Sequence, residues 1–229
     1  MSRDSVAVWH DAPRPGRRRA LSPWRARRSA KRAFDLSSAA LLILVLAPAL
    51  AALALLIWAQ GRGGPVLIRH ERIGAGGRRF KCLKFRTMCV DAQAVLDRHL
   101  DQDPDARLEW EATFKLRRDP RVTRLGRVLR KTSLDELPQL FNVLAGEMSL
   151  VGPRPITDKE IHFYGDAYSH YLSCTPGLTG LWQISGRSDV GYDQRVRLDT
   201  EYAQAWSLAL DLKILAKTPK AVLFGSGAH

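Results

Sequence analysis

From Leu36 to Ala59 the chain runs through 24 consecutive residues without a charge, mostly alanine and leucine. As a helix that stretch is about 36 Å long, enough to cover the ~30 Å hydrocarbon core of a bilayer. Trp58 stands near its end at an interfacial position, followed by Gly61-Arg62-Gly63-Gly64. Pro48 sits in the middle, where it removes a backbone hydrogen bond and bends the helix. Ten Lys/Arg lie within residues 1–32, and eight more follow (Arg62, Arg69, Arg72, Arg78, Arg79, Lys81, Lys84, Arg86). Positive charge marks the cytoplasmic side of a membrane segment, and here it marks both ends. Two arrangements satisfy the residues: a re-entrant helix broken at Pro48 that enters and leaves by one face, or a simple span with a tolerated proline. No small-x-small cleavage site follows the apolar run, and the stretch before it is too long and basic for a signal peptide.

The 36 Lys+Arg against 23 Asp+Glu, net +13, call for an anionic partner: nucleic acid, anionic lipid or a phosphorylated substrate. No nucleic-acid-binding motif accompanies the charge, so no nucleic-acid partner is expected. Cys82, Cys89 and Cys174 are odd in number and form no CxxC, which reads as reduced, packed thiols. The six histidines show no metal-ligand spacing and no hydrolase motif, so any metal must be held by oxygen.

Residues 1–31 read as a disordered basic arm, placed to meet anionic headgroups. Val66 to Met88 has strand character on either side of Ala75-Gly76-Gly77, a hairpin in which Lys84 and Arg86 share one face and Phe85 the other. Asp91 to Glu111 reads as helix interrupted at Pro104, and Arg121 to Lys131 as a short helix. In the latter Val122, Leu125, Val128 and Leu129 oppose Arg124, Arg127, Arg130 and Lys131. Thr175 to Arg187, rich in glycine, reads as a structured loop. The tail is helical from Tyr192 and continues beyond Trp206, either in the membrane interface or packed on the core. The fold class is α+β, predominantly helical, with a short β-hairpin and amphipathic interfacial helices.

Acid sits inside base at Arg130 to Pro155. Asp135 and Glu136 follow the arginine-rich helix and precede Gly152-Pro153-Arg154-Pro155, whose prolines hold Arg154 extended for contact with an oxyanion. Ser133-Leu134-Asp135-Glu136 is also a capping box, in which Glu136 would bond back to the Ser133 N–H. Pro138 disfavours Ser133 as the N-cap; with Asp135 as N-cap the proline falls in the first turn and Glu136 is free. Leu137, Leu140, Phe141 and Leu144 then face inward, and Gly146 ends the helix.

Five segments in order resemble one family, the monotopic polyprenyl-phosphate phosphoglycosyl transferases, or bacterial sugar transferases. They are Lys31-Arg32-Ala33-Phe34-Asp35, Lys84-Phe85-Arg86-Thr87-Met88, Thr132 to Pro155, Pro176 to Arg187, and Tyr192 to Lys217. The resemblance spans about Lys31 to Thr218. It implies a re-entrant membrane helix over residues 32–60 bent at Pro48, a catalytic domain over 61–218 on the cytoplasmic face of the inner membrane, and a short tail over 219–229. It also implies transfer of sugar-1-phosphate from a UDP-sugar to undecaprenyl phosphate, with release of UMP. Asp135 matches the nucleophile that forms a covalent phosphosugar intermediate, and Glu136 the partner acid at a Mg²⁺ site shared with Asp135. Lys84, Arg86, Arg130, Arg154 and Arg187 match basic positions for phosphate or nucleotide. Leu181-Trp182-Gln183-Ile184-Ser185-Gly186-Arg187 resembles members that begin exopolysaccharide or O-antigen repeats with a hexose phosphate. Anionic lipid is an expected partner, and a homodimer is compatible with the family. The basic arm and the acidic stretch from Asp97 to Glu111 depart from the smallest members. The rival reading is a membrane-tethered basic adaptor without catalysis, binding anionic lipid or nucleic acid through residues 1–32 and Arg124, Arg127 and Arg130.

Overall fold

The computed structural model describes residues 23–60, 63–113, 116–186 and 191–224; the chain before Pro23, Gly61-Arg62 and Arg187 fall outside them. Helix α1, Pro23–Gln60, is one continuous element of 38 residues with Pro48 inside it. It takes in residues 23–31, which the sequence assigned to the arm. Within it Ser29–Gln60 is long and apolar enough to cross a membrane, with only 6% of its apolar window buried. Yet both halves touch the rest of the protein. Before Pro48, Ala39 is buried, and Phe34, Ile43 and Leu46 pack with it among Leu140, Val143 and Ile214. After it, Leu50, Leu53 and Ala54 pack against Ile57, Phe85 and Leu129.

Strands β1, Leu67–Ile73, and β2, Arg79–Phe85, form the expected antiparallel hairpin, with Ile68 opposite Lys84 and Arg72 opposite Phe80. The reversal is a 3-10 turn over Ala75–Gly77 whose Gly76 takes φ 64°, a conformation glycine adopts without steric cost. Alternation along β2 turns Phe80, Cys82 and Lys84 to one side, and Phe80 and Cys82 are buried there.

Pro104 divides the next helical stretch into α2, Ala92–Gln102, and α3, Pro104–Thr113. Helix α4, Arg124–Lys131, starts three residues later than the sequence pattern suggests, because Thr123 caps it by accepting from the Gly126 N–H. Leu129 is buried, but Val128 remains 55% exposed, so only part of the apolar arc packs. Helix α5, Gln139–Ala145, ends as expected at Gly146, φ 84°.

The glycine-rich segment departs from its reading as a loop. Strand β3, Ser149–Val151, pairs in parallel with β4, Gly177–Thr179. Beyond β4 comes a one-turn helix; with Tyr168–Leu172 as α6, it is α7, Leu181–Ile184. A Cβ on Gly177 would lie 2.0 Å from the Gly152 nitrogen, and one on Gly180 would lie 2.1 Å from the Gly152 oxygen. The glycines allow two backbones to meet there, and their role is contact rather than looseness.

The tail forms two helices, α8, Tyr192–Ala205, and α9, Leu208–Phe224. Of the two readings for α9, packing on the core is the one observed, since Asp211 and Ile214 are fully buried; Leu208 and Leu212 stay exposed on its other side. The main core joins α1, β2, α5, β3, α8 and α9 around Leu140, Val143, Met148 and Tyr202. Among the described residues the fold is thus helical around two short two-stranded sheets.

Candidate active site

The acid pair lies in the tight connection between α4 and α5. Ser133 takes φ 55°, the one non-glycine residue with positive φ among those described. Such a conformation costs about 1 kcal/mol or more, and here it reverses the chain straight after α4. A 3-10 turn over Leu134–Glu136 follows, and Pro138 occupies the N-cap position of α5. Neither capping register expected from the sequence is adopted, because neither Ser133 nor Asp135 caps the helix through its side chain. Glu136 is free of capping, as the second register required, but the Ser133 reversal and the 3-10 turn are what free it.

Lys84, on the inward face of β2, places its Nζ 2.7 Å from Glu136 Oε1 and 3.8 Å from Asp135 Oδ2. Arg154 Nη2 reaches the same Glu136 oxygen at 3.3 Å. The two acids are therefore held unequally. Glu136 takes two charged donors on Oε1. Asp135 is 8% exposed, and among the described residues no hydrogen bond reaches its carboxylate. Burial alone would raise the Glu136 carboxyl, but Arg154 and Lys84 outweigh it and hold the group at about 2. For Asp135 burial wins: its carboxyl lies above the ordinary value, with Glu136 adding to the rise and Lys84, Arg130 and Arg154 opposing it.

Lys84, Glu136 and Arg154 line one cleft with Arg72, Cys82, Gln139, Pro155, Gly177 and Leu178. Gly152 N–H donates to Thr179 at 2.9 Å and Gly177 N–H to Pro153 at 2.8 Å, so the β3–β4 contact carries the Pro-Arg-Pro loop to the cleft. The Arg154 guanidinium also stands 5.7 Å from the centre of the Trp182 ring, which Arg195 approaches to 5.0 Å. Arg195 Nη2 donates to the Arg154 carbonyl at 3.4 Å. Glu160 binds Arg195 at 3.2 Å and Arg72 at 3.4 Å, and accepts from the Tyr192 hydroxyl and the Thr157 N–H. Burial would raise Glu160, but those hydrogen bonds and the Arg195 charge outweigh it and hold the group at about 2. Arg72, Glu160 and Arg195 were not read as site residues from the sequence. Arg195 itself lies in one segment already singled out, Tyr192 to Lys217, and Trp182 in another, Pro176 to Arg187; these were the signals for them.

The other basic positions separate. Arg130 Nε donates to the Thr87 hydroxyl at 2.9 Å, and its charge acts on Asp135. The seat for that bond depends on Gly126, where a Cβ would lie 2.0 Å from the Thr87 carbonyl oxygen. Arg86 corrects the strand-face expectation. Strand β2 ends at Phe85, and the Arg86 side chain, 8% exposed, turns to the Ile57 carbonyl in α1 at 3.2 Å. It serves the second half of the apolar helix and does not join Lys84. Arg187 lies outside the described residues.

The donor chemistry fits a hard divalent cation. Among the described residues there is no group of three or more His, Cys, Asp or Glu side chains, but Mg²⁺ is commonly held by one or two carboxylates together with phosphate oxygens and water. Among the described residues both Glu136 contacts fall on Oε1, which leaves Oε2 and the Asp135 carboxylate as oxygen donors.

The model for bacterial sugar transferases matches residues 26–225. The undecaprenyl-phosphate galactose phosphotransferase of Salmonella typhimurium is 49% identical over 207 residues, covering 90% of this chain and 43% of that protein. The exopolysaccharide production protein ExoY of Rhizobium meliloti is 52% identical over 203 residues, covering 87% of this chain and 88% of its own length. The UDP-glucose:undecaprenyl-phosphate glucose-1-phosphate transferase of Caulobacter vibrioides is 41% identical over 209 residues, covering 87% of this chain and 72% of that protein. The chain spans less than half the length of relatives such as the Salmonella protein and most of the length of ExoY.

Proposed function

Because the chain belongs to the bacterial sugar transferase family, we propose that it transfers a hexose-1-phosphate from a UDP-sugar to undecaprenyl phosphate, releasing UMP, as the first membrane step of exopolysaccharide or O-antigen assembly. The observation that carries the mechanism is the inequality of the acids. Glu136 is engaged by Lys84 and Arg154, while buried Asp135 keeps its oxygens free of hydrogen bonds among the described residues. A carboxylate in that condition, with a raised pKa and lone pairs not engaged by described donors, is suited to attack.

In this reading an Asp135 oxygen attacks the sugar-bearing phosphorus. The new O–P bond forms as the P–O bond to UMP breaks, and UMP leaves with the electron pair. An oxygen of the lipid phosphate then attacks the same phosphorus, and the Asp135 carboxylate is released unchanged. Both attacks bring negative charge to a negative centre. Lys84 and Arg154, anchored on Glu136 beside the nucleophile, lower that repulsion without having to move during the reaction. Mg²⁺ held by Asp135 and Glu136 would neutralise part of the diphosphate charge. A covalent intermediate also lets a soluble nucleotide-sugar and a buried lipid use one site in turn.

The apolar helix fits the same account. A helix crossing the bilayer would carry one of its halves away from a domain on one side, yet residues before and after Pro48 both pack on that domain. This supports a re-entrant segment bent at Pro48, with the domain at the cytoplasmic face of the inner membrane and the exposed arginines of α4 near anionic headgroups. An adaptor that only bound lipid would have no use for a buried aspartate set beside a lysine and left, among the described residues, without hydrogen bonds.

Purified protein with Mg²⁺, undecaprenyl phosphate and either UDP-glucose or UDP-galactose is expected to release UMP. Asp135→Asn should lower that rate by at least about 10³-fold. Wild-type turnover in that variant would remove Asp135 from the mechanism, and the panel of sugars would identify the donor.

A further inference from the structure

Building on the role given above to Arg154, we propose that Lys31, at the base of the apolar helix, is a positioning residue for the Arg154 loop. Its ammonium donates to the Val151 carbonyl at 3.0 Å and to Asp211 Oδ2 at 2.6 Å. The Tyr202 hydroxyl lies within hydrogen-bond distance of the same two partners, 2.9 Å from Val151 O and 2.7 Å from Asp211 Oδ1. Asp211 is fully buried, and Val151 is 1% exposed. The Val151 carbonyl is thus the point where a cation from α1 meets the strand that leads into the cleft.

Beyond Val151 the backbone is stiff. Gly152 is fixed to Thr179 through its N–H, and Pro153 and Pro155 restrict the backbone on both sides of Arg154. A displacement of Val151 therefore carries through to the guanidinium that binds Glu136, because few rotatable backbone bonds remain to absorb it. The same short run of α1 holds the flanks of the site in other ways. Asp35 accepts from the Leu150 N–H at 3.1 Å, and Arg32 donates to the Val143 and Leu144 carbonyls at the end of α5, the helix that begins just after the acid pair. Three charged residues at the root of the apolar helix thus fix the strand before Arg154 and the helix after Glu136. Seating the helix root would thereby set the distance between the two halves of the cleft. An ordinary ion pair would need only Lys31 and Asp211; the bond to Val151 is what links it to the loop.

The experiment is a double-mutant cycle read as kcat and KM for UMP release. The fold is protected by replacing the ion pair as a unit, Lys31→Met with Asp211→Asn, since removing one partner alone leaves a buried charge. In otherwise wild-type protein that pair of changes is expected to raise KM for the UDP-sugar about tenfold and to lower kcat less. Lys31→Arg, which keeps a donor within reach of Val151, should stay within about 3-fold of wild type. In an Arg154→Lys background the Lys31/Asp211 changes should have no further effect, because the loop they position no longer ends in a guanidinium. Equal fold-changes in the two backgrounds would overturn the proposal, as would wild-type KM in the Lys31/Asp211 variant. If the wild-type protein itself releases no UMP, it is the enzymatic reading that fails, and the two failures are told apart by that control.

Discussion

Asp211 and Asp135 are both buried beside a lysine, yet one is saturated and the other is left open. Asp211 takes Lys31 at 2.6 Å, the Tyr202 hydroxyl at 2.7 Å and the Trp206 indole at 3.1 Å. Asp135 has Lys84 no nearer than 3.8 Å, and among the described residues no hydrogen bond at all. The lysine that could saturate it is turned to Glu136 instead. In the proposed mechanism the difference separates a carboxylate that ties helices together from one whose lone pairs are kept for a reacting atom. Glu136 makes that possible by drawing off the cations while staying ionised.

The largest expected effect that tests the contrast lies at the lysine of the open site. Lys84→Met should lower kcat/KM for UMP release by about 10²- to 10³-fold. Circular-dichroism melting should change little, since Arg154 still satisfies Glu136. A large loss of stability with little loss of rate would mean that Lys84 serves the fold rather than the reaction. The converse is expected at the closed site. Asp211→Asn should cost about 3 kcal/mol in urea unfolding, because it leaves Lys31 charged and poorly solvated.

A third buried acid gives the smallest effect and the sharpest sign. Asp199, 2% exposed, accepts from the Tyr164 hydroxyl at 2.7 Å and has Arg195 only at 3.9 Å. Burial outweighs both and pushes its carboxyl up to about 6. Because the folded protein holds this proton more tightly than the unfolded chain, whose ordinary value is 3.8, stability falls as pH rises from near 4 through about 6. Asp199→Asn removes that penalty. Its melting temperature relative to wild type should therefore be about a few degrees more favourable at pH 8 than at pH 4. An unchanged difference across that range would show that Asp199 is as well satisfied as Asp211.

How much of this was legible in the sequence depends on how far apart the interacting residues are. The hairpin, the division at Pro104 and the stop at Gly146 rest on signals within a few residues, and each stands where the pattern put it. Asp135, Glu136, Lys84 and Arg154 were singled out from charge and local stiffness together with family resemblance, and they meet in one place. The strand pair β3–β4 was missed because its glycines look like those of a loose turn, whereas they serve the close approach of two backbones. Arg86 was misplaced by extending strand alternation one residue beyond Phe85. Lys31 and Asp211 are separated by 180 positions, and nothing local to either residue announces the other.

The central claim, that Asp135 is left open in order to carry the phosphosugar, is tested most directly by mixing the protein with Mg²⁺ and the UDP-sugar it turns over, without the lipid acceptor, and measuring intact mass after rapid quenching. The account predicts a species heavier by one hexose phosphate less water, mapped by fragmentation to Asp135, lost on addition of undecaprenyl phosphate and missing from Asp135→Asn. UMP release and lipid product with no adduct at any time, or an adduct mapped to Glu136, would contradict it.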